Sequence, residues 1–257
     1  MQVIAIGTLE LILATGFIFV SGGLALCFQL GLTRSLIIAT LRTYAQLLAL
    51  GLVLSWIFQI DNQWLVLAVF ALMMLIAAQT VVSRLGLWAP RIVIGSLAGV
   101  VLSAVTVTFA VTALLIQVEP WYEARYVLPI AGMVVGNAMN GIALSQERLL
   151  EGFQARRGEV LLRLSLGATA WEASLPLIQG SFRAGMIPTL NAMATVGLVS
   201  IPGMMTGQVL AGVEPMTGAA YQIVVMLMLS CATALGSIIC MVISYRHAFD
   251  DQQRLVK

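Results

Sequence analysis

One polar stretch interrupts an otherwise apolar chain: residues 146–172 read QERLLEGFQARRGEVLLRLSLGATAWE. The chain has 13 basic and 11 acidic residues, and eight of these charges lie in that stretch: Glu147, Arg148, Glu151, Arg156, Arg157, Glu159, Arg163 and Glu172. On both sides lie apolar runs of about 20 residues or more, the length at which a helix crosses the hydrocarbon core of a bilayer. The sequence therefore predicts an all-α membrane protein whose polar stretch stays outside the bilayer.

The composition excludes an ordinary water-soluble domain, because 60% of the 257 residues are hydrophobic and only 9% are charged. The mean hydropathy is +1.01. Seven apolar runs are predicted to form a polytopic helix bundle, in a single transmembrane domain that covers residues 1–257. These runs are approximately 4–30, 36–58, 63–83, 92–116, 127–145, 187–211 and 219–244.

The basic residues predict the orientation of this bundle. Eleven of the 13 flank alternate connections between spans: Arg34, Arg84, Arg91, Arg148, Arg156, Arg157, Arg163, Arg183, Arg246, Arg254 and Lys257. Arg42 lies inside the second span, and Arg125 alone lies on the opposite side. Since cytoplasmic loops carry the excess of Lys and Arg, the N-terminus is predicted outside and the C-terminus in the cytoplasm. That orientation requires an odd number of spans, a condition that seven spans meet.

Several functional classes are excluded by residue types that the sequence lacks. His247 is the single histidine, so no HExxH zinc-protease motif exists. Lys257 is the single lysine and ends the chain, so no P-loop can hold a nucleotide here. No basic cluster with interleaved aromatic residues is present, so no nucleic-acid partner is expected. No cofactor is expected on this chain, and any ATP that drives it must bind another polypeptide.

The fifth span carries polar and flexible residues at membrane depth. Residues 129–141 include a proline, three glycines and the asparagines Asn137 and Asn140. Amide side chains in hydrocarbon need partners, while Gly132 and Gly136 allow another backbone to approach closely. Two interpretations stay open: a structural seam between helices, or a helix that lines a translocation path.

The sixth span is predicted to begin near Pro188 and to be broken at Ser200-Ile201-Pro202-Gly203. Pro202 removes a backbone donor, and Gly203 relaxes the chain further. A break at membrane depth persists only where it is buried in protein or faces a cavity, and discontinuous helices of transporters mark the substrate path. The alternative is a kinked helix with a purely structural role.

In the second span, Arg42 and Gln46 lie one helical turn apart. Arg42 either reaches the bilayer interface with its long side chain or faces the bundle interior together with Gln46. With this pair, the residues predicted to line a translocation path are Arg42, Gln46, Asn137, Met139, Asn140, Asn191, Pro202, Gly203, Met204 and Met205.

Metal-binding chemistry receives limited support from the residues alone. Methionine sulfur is a soft ligand and asparagine offers amide oxygen; the methionines concerned are Met133, Met139, Met193, Met204 and Met205. Methionine is also a flexible filler of apolar cores, so this alternative stays open. No defined set of metal ligands is predicted.

The polar stretch itself is predicted to be helical. Glu159 precedes Arg163 by four residues, the favourable order for an ion pair on a helix. Gly167 is predicted to end this helix, and Thr169 to cap the next one, with Glu172 completing a capping box. A second short helix is predicted to run to about residue 185 along the membrane surface, in a cytoplasmic region covering 146–185. The alternative is an amphipathic interfacial loop.

Six ordered motifs resemble the FetB family of ABC transporter permeases. They are Pro129-Ile-Ala-Gly-Met133, Gly136-Asn-Ala-Met139, Leu164-Ser-Leu-Gly-Ala-Thr169, Ile187-Pro-Thr189, Gly197-Leu-Val-Ser-Ile-Pro-Gly-Met-Met-Thr-Gly207 and Tyr221-Gln-Ile-Val224. The Leu-Gly-Ala-Thr turn after an amphipathic helix is similar to the coupling-helix segment of such permeases. Leu161-Leu162-Arg163 departs from the Glu-Ala-Ala of importers, and Ala194 stands where relatives often have lysine, which leaves the cargo open.

The resemblance implies a permease subunit in the bacterial inner membrane, in contact with lipid and paired as a homodimer. The family contains bacterial iron exporters and membrane subunits of plant aluminium-tolerance transporters, so export of iron or another metal is expected. ATP and Mg²⁺ would bind a separate cytoplasmic ATPase that docks on Arg156, Arg157, Glu159, Arg163, Leu164, Leu166, Gly167, Ala168 and Thr169. The alternative is a gradient-driven secondary transporter or channel, for which Glu10 is the only acidic residue within a span.

Overall fold

A computed structural model of the protein describes residues 7–60, 62–250 and 255. These residues fall into two compact units, 7–60 with 210–212, and 62–209 with 213–250 and 255. Residues 4–6 of the predicted first span lie outside the described residues, as do Asp61, Arg254 and Lys257.

The first unit contains three helices: α1 (Thr8–Ala14), α2 (Gly16–Cys27) and α3 (Thr33–Ile57). Thr15 separates α1 from α2, and its hydroxyl donates a hydrogen bond to the carbonyl of Ile12. The Tyr44 hydroxyl of α3 donates to the carbonyl of Leu11, at 2.7 Å. The first two predicted spans therefore correspond to α1 with α2 and to α3.

The second unit contains the other helices. They are α4 (Gln63–Leu85), α5 (Pro90–Phe109, continued by a π-helical turn Ala110–Leu115), α6 (Ala124–Ala155), α7 (Arg157–Ser165), α8 (Ala170–Thr195), α9 (Gly203–Leu210) and α10 (Pro215–Ser244). A 3₁₀ turn, Tyr245–Ala248, extends α10. The described part of the chain contains no strand, only isolated bridges, so the predicted all-α class is confirmed.

Six helical segments of the described chain are long and apolar enough to cross a membrane: α1 with α2, α3, α4, α5 with its π turn, α6, and α10 with its 3₁₀ turn. The predicted sixth span is not among them. The helix at that position, α8, has 26 residues and is long enough to span a bilayer, but it is less apolar than the six.

The predicted bounds of this sixth span, 187–211, are wrong. α8 runs without interruption from Ala170 through Pro176 and Pro188 to Thr195, so the separate short surface helix ending near residue 185 does not exist. A proline removes one backbone donor, and a long helix packed in a bundle tolerates that local loss. The predicted break is present, between Thr195 and Gly203.

The fifth span continues as a helix beyond its predicted end at residue 145. α6 continues for another ten residues, to Ala155, and carries the first part of the polar stretch as one helix with the span. The reason lies in packing, because Leu149 and Phe153 are buried and keep this end of α6 attached to the protein.

Glycines hold α5, α6, α8 and α10 close together. A Cβ added at Gly99 would lie 2.6 Å from the carbonyl oxygen of Gly236, and one added at Gly185 would lie 2.8 Å from that of Gly141. Such backbone contact is the usual way that membrane helices pack tightly. The prediction of close approach at Gly136 is wrong, since an added Cβ there meets nothing within 4 Å.

Four helix ends meet at one end of the second unit. The rings of Trp171 and Tyr245 are 5.4 Å apart, and those of Phe153 and Phe249 are 5.7 Å apart. Arg91, at the start of α5, donates to the carbonyls of Arg246 and Phe249. The starts of α5 and α8 and the ends of α6 and α10 therefore share one end of the bundle, which the basic residues predict to be cytoplasmic.

The predicted capping box is confirmed at the start of α8. The Thr169 hydroxyl accepts a hydrogen bond from the backbone N–H of Glu172, at 3.2 Å. The Glu172 carboxylate accepts from the backbone N–H of Thr169 and from its hydroxyl, both at 2.8 Å. The hydrogen bond from the backbone N–H of Thr169 is the larger cause, and the bond from its hydroxyl the smaller, by which the pKa of the Glu172 carboxyl is lowered below its ordinary value.

We expect Gly99→Leu to destabilise the folded chain, because the added side chain must displace the backbone of α10. Overpacking of this kind typically costs about 1–3 kcal/mol. Gly136→Leu is the matched control, since its side chain enters open space. Thermal unfolding in one detergent measures both variants, and equal unfolding temperatures would contradict the close packing of α5 on α10.

We expect the first turn of α8 to lose protection against amide exchange as pH falls. A carboxylate with a lowered pKa contributes stability that is present above the unfolded value, about 4.3, and that disappears as pH falls through the lowered folded value. Glu172→Ala should therefore speed exchange in this turn at pH 7, with the difference from the parent shrinking in acid. Glu147→Ala is the control, and a difference independent of pH would refute the linkage.

Candidate functional site

The interruption between α8 and α9 forms its own backbone hydrogen bonds. The carbonyl of Thr195 accepts from the N–H groups of Val199 at 2.9 Å and Leu198 at 3.3 Å. Gly197 has a φ of +80°, which favours glycine, and its N–H donates to the carbonyl of Ser200 at 2.9 Å. This loop can therefore lie at membrane depth without stranding many backbone groups in lipid.

A cavity of about 460 Å³ lies beside this interruption. It is lined by residues of α8, the loop, α9 and α10: Met193, Val196, Gly197, Ile201, Pro202, Met205, Ala219, Gln222, Ile223, Met226 and Leu227. Two of the predicted path residues, Pro202 and Met205, lie here. The interruption of the helix therefore opens onto this cavity.

A second cavity, of about 520 Å³, lies between α5, α6, α9 and α10. Met204, another predicted path residue, lines it together with Met133 and Met228. Arg125 and Tyr126 line the same cavity and belong to the start of α6, so this space lies toward the end of the bundle opposite the polar stretch.

The remaining path residues of the second unit do not line either cavity. Asn137, Asn140 and Asn191 lie on exposed helix faces, and the Asn137 amide donates to the carbonyl of Met133 within its own helix, at 3.0 Å. Met139 is half-buried and packs against the apolar core. Gly203 is exposed, and a side chain added there would meet open space.

Arg42 and Gln46 belong to the first unit. Both side chains are exposed on α3, at positions one helical turn apart. Their role in a path stays a prediction.

The polar stretch forms the end of α6, all of α7 and the start of α8. The predicted ion pair is confirmed, with Arg163 Nη2 3.1 Å from Glu159 Oε1. Val160 is fully buried and fastens α7 to the protein, while Arg156 and Arg157 are exposed. α7 is therefore an amphipathic helix with one anchored side and one charged side.

The turn between α7 and α8 presents an apolar tip. Gly167 has a φ of +92°, and Leu166 beside it is 79% exposed. Ala168 is half-buried. Leu164 was expected to face a partner with Leu166, but it packs against the buried cluster that contains Val160 and Phe153. The exposed tip thus consists of Leu166 and the Gly167 turn.

The residues of the first cavity that sequence reasoning missed include Gln222 and Met226. Gln222 appeared only within the motif Tyr221-Gln-Ile-Val224, and Met226 follows it by four residues, on the same face of α10. Hydropathy could not single them out, because α10 is apolar on nearly all sides. The polar residue one turn before a methionine was the available signal.

The chain is similar in sequence to known membrane proteins. It is 38% identical over 232 residues to the UPF0014 membrane protein slr1647 of Synechocystis sp., covering 88% of each chain. It is 36% identical over 249 residues to the UPF0014 membrane protein YjkA of Bacillus subtilis, covering 96% of this chain and 97% of the relative.

A third relative has a functional name. The chain is 35% identical over 228 residues to the probable iron export permease protein FetB of Escherichia coli, covering 89% of this chain and 86% of the relative. The resemblance to the FetB family is thereby confirmed. No solved structure matches the chain. Residues 8–249 match the Uncharacterised protein family (UPF0014), and the chain belongs to this family of membrane proteins.

Proposed function

We propose that the chain is the membrane-spanning permease subunit of an ABC transporter that exports iron or another metal. ATP and Mg²⁺ bind a separate cytoplasmic ATPase. The observation that carries the proposal is the exposed turn between α7 and α8, which has an apolar tip and a charged surround. The printed name of the Escherichia coli relative supports iron as the leading cargo.

The α7–α8 turn is suited to receive a partner. Leu166 is 79% exposed next to the charged side chains of Arg163 and Glu159, so an apolar tip is surrounded by charges that steer association. Three hydrogen bonds of the capping box fix Thr169, two residues after Gly167, to the first turn of α8. A displacement of the turn therefore moves the start of α8 with it.

The continuity of α8 connects this turn to the first cavity. One helix of 26 residues leads from the capping box at Thr169 to the interruption after Thr195, a distance of about 39 Å at 1.5 Å per residue. Movement of a docked ATPase can thus displace the cavity end of α8 through a single continuous helix. A separate surface helix, as predicted from sequence, would have required a flexible joint between the two.

The interruption also supports pairing of two copies. Leu198 is 89% exposed and Val199 is 83% exposed, and both lie in a loop whose glycine holds it open. Irregular backbone at membrane depth is tolerated only where it is covered by protein or lines a cavity, so an exposed loop there favours contact with another protein surface. A second copy of the chain is the proposed neighbour, giving a homodimer with the two interruptions near its axis.

We expect Leu166→Asp to abolish ATP-dependent transport without unfolding the chain. Leu166 makes little contact within the chain, so the substitution removes only the surface that enters the partner. The measurement uses the tagged chain coexpressed with the P-loop ATPase encoded nearest to it, purified together and reconstituted into liposomes. Co-purification and ATP-dependent Fe²⁺ flux should both be lost.

Gln154→Asp is the matched control, because Gln154 is an exposed polar residue at the end of α6, outside the proposed docking surface. It should keep both co-purification and flux. If Leu166→Asp binds the ATPase and transports like the parent, the coupling assignment is wrong. If the parent itself carries Fe²⁺ down a gradient without ATP, the chain is a secondary transporter or channel.

We expect positions 154 and 252 to lie on the cytoplasmic side and position 214 to lie on the opposite side. Gln154 and Glu214 are exposed, and Gln252 lies outside the described residues. Single cysteines are placed there in a chain whose Cys27, Cys231 and Cys240 are replaced by alanine. Labelling of intact cells with a membrane-impermeant maleimide should modify position 214 alone. Labelling of 154 and 252 from opposite sides would contradict the orientation.

A further inference from the structure

We propose that the cavity beside the α8–α9 interruption binds a soft monovalent metal ion, of the Cu⁺ or Ag⁺ class. The ligands are the thioether sulfurs of Met193, Met205 and Met226, with the amide oxygen of Gln222. The inference rests on the proposed function only in taking a metal as the cargo, and it assigns this site to a softer metal than the iron that the name of the Escherichia coli relative suggests.

Three different helices supply the methionines. Met193 lies in the last turn of α8, Met205 in α9 and Met226 in α10, and all three line the same cavity of about 460 Å³. If the methionines only filled the apolar face of one helix, all of them would lie on that helix. Here three elements contribute one methionine each to the lining of a single cavity, and each of the three residues is half-buried, neither packed into the core nor fully exposed.

α9 and α10 lie close together at this cavity. A Cβ added at Gly218 of α10 would lie 3.4 Å from Cγ of Met205, and 3.9 Å from its carbonyl oxygen. Gly218, Gln222 and Met226 are spaced by four residues, so they occupy one face of α10. That face therefore points toward the part of α9 that carries Met205.

Gln222 supplies the oxygen ligand of the proposed site. Its side chain is only 7% exposed, and within the described part of the chain its Oε1 has no hydrogen-bond partner. A buried carbonyl oxygen without a hydrogen-bond partner destabilises the folded chain. A cation in the adjoining cavity would satisfy this oxygen, whereas a lipid chain would not.

The donor set determines the class of metal. Thioethers are soft, neutral ligands that select Cu⁺ over harder divalent ions, which favour imidazole and carboxylate. Three sulfurs and one amide oxygen carry no charge, so an ion with one positive charge is compensated more easily than an ion with two. Among the described residues, no group of three or more His, Cys, Asp or Glu side chains is placed to hold a metal.

The interruption gives such an ion a way to leave. Val196, Gly197 and Pro202 line the same cavity, and they belong to the segment where the helix is not continuous. Methionine side chains are flexible, and a neutral set holds an ion less firmly than thiolates would. Both properties suit passage of a metal through the site.

The experiment measures binding of Ag⁺ to the purified chain in lipid nanodiscs. Ag⁺ stands in for Cu⁺ because it does not change oxidation state, and the buffer is free of chloride. Cys27, Cys231 and Cys240 are replaced by alanine, so that thiolates do not compete. Titration calorimetry reports affinity and stoichiometry, and X-ray absorption at the silver edge reports sulfur and oxygen neighbours.

The test variant replaces Met193, Met205 and Met226 together by leucine, which nearly conserves side-chain volume. We expect the parent to bind about one Ag⁺ per chain, and the variant to bind at least about tenfold more weakly, a loss of about 1.4 kcal/mol. Gln222→Leu should also weaken binding and remove the oxygen neighbour. Met241→Leu is the matched control, because Met241 is fully buried in another cluster and lines neither cavity.

Equal affinity in the parent and the triple variant would overturn the site, and so would an equal loss in Met241→Leu. The proposed function and the metal site can be refuted independently of each other. ATP-dependent Fe²⁺ flux without an Ag⁺ site would refute only the metal class. An Ag⁺ site in a chain without ATP-dependent transport would refute the transporter and leave the site.

Discussion

Backbone hydrogen bonding at membrane depth is the constraint on which the rest of this structure depends. Hydrocarbon offers no partner for N–H or C=O groups, so a chain crosses it as helices and can be interrupted only where the interruption is buried in protein or lines a cavity. Between α8 and α9 the Thr195 carbonyl gathers neighbouring N–H groups, and Gly197 adopts a conformation that closes a bond with Ser200. The cavity beside this loop exists because the helix can stop there.

The same requirement shapes the connection between the turn at Gly167 and the cavity. α8 passes two prolines and remains one helix, so the turn at Gly167 and the interruption after Thr195 are the two ends of a single element. Glycine contacts hold α8 against α6, and α6 and α5 against α10. The second unit therefore combines tightly packed helices with one long helix, α8, that ends at an irregular loop beside the cavity. The proposed coupling between the turn and the cavity rests on this continuity.

Few buried polar side-chain atoms among the described residues lack a hydrogen-bond partner, and packing alone does not explain a residue that has one. Gln222 is buried beside a cavity with an amide oxygen that has no partner among the described residues. The methionines around it come from three helices. Leu166 is the converse case, an apolar residue left exposed at a polar turn. The unpartnered Gln222 is the basis of the proposed ligand site, and the exposed Leu166 is the basis of the proposed contact with a partner protein.

Local chemistry alone determined the helical class, the position of most spans, the capping box at Thr169 and the interruption near Pro202. Hydropathy, side-chain hydrogen bonding and the missing N–H of proline act over a few residues, so the sequence contains them directly. Tertiary packing decided that α8 continues through Pro188, that Gly99 and not Gly136 meets another backbone, and that Leu164 faces inward. It also decided that Gln222 and Met226 share a cavity with Met193 and Met205. A helix that is apolar on all sides has no periodicity to show its rotation, so only contact with neighbouring helices selects the face it buries.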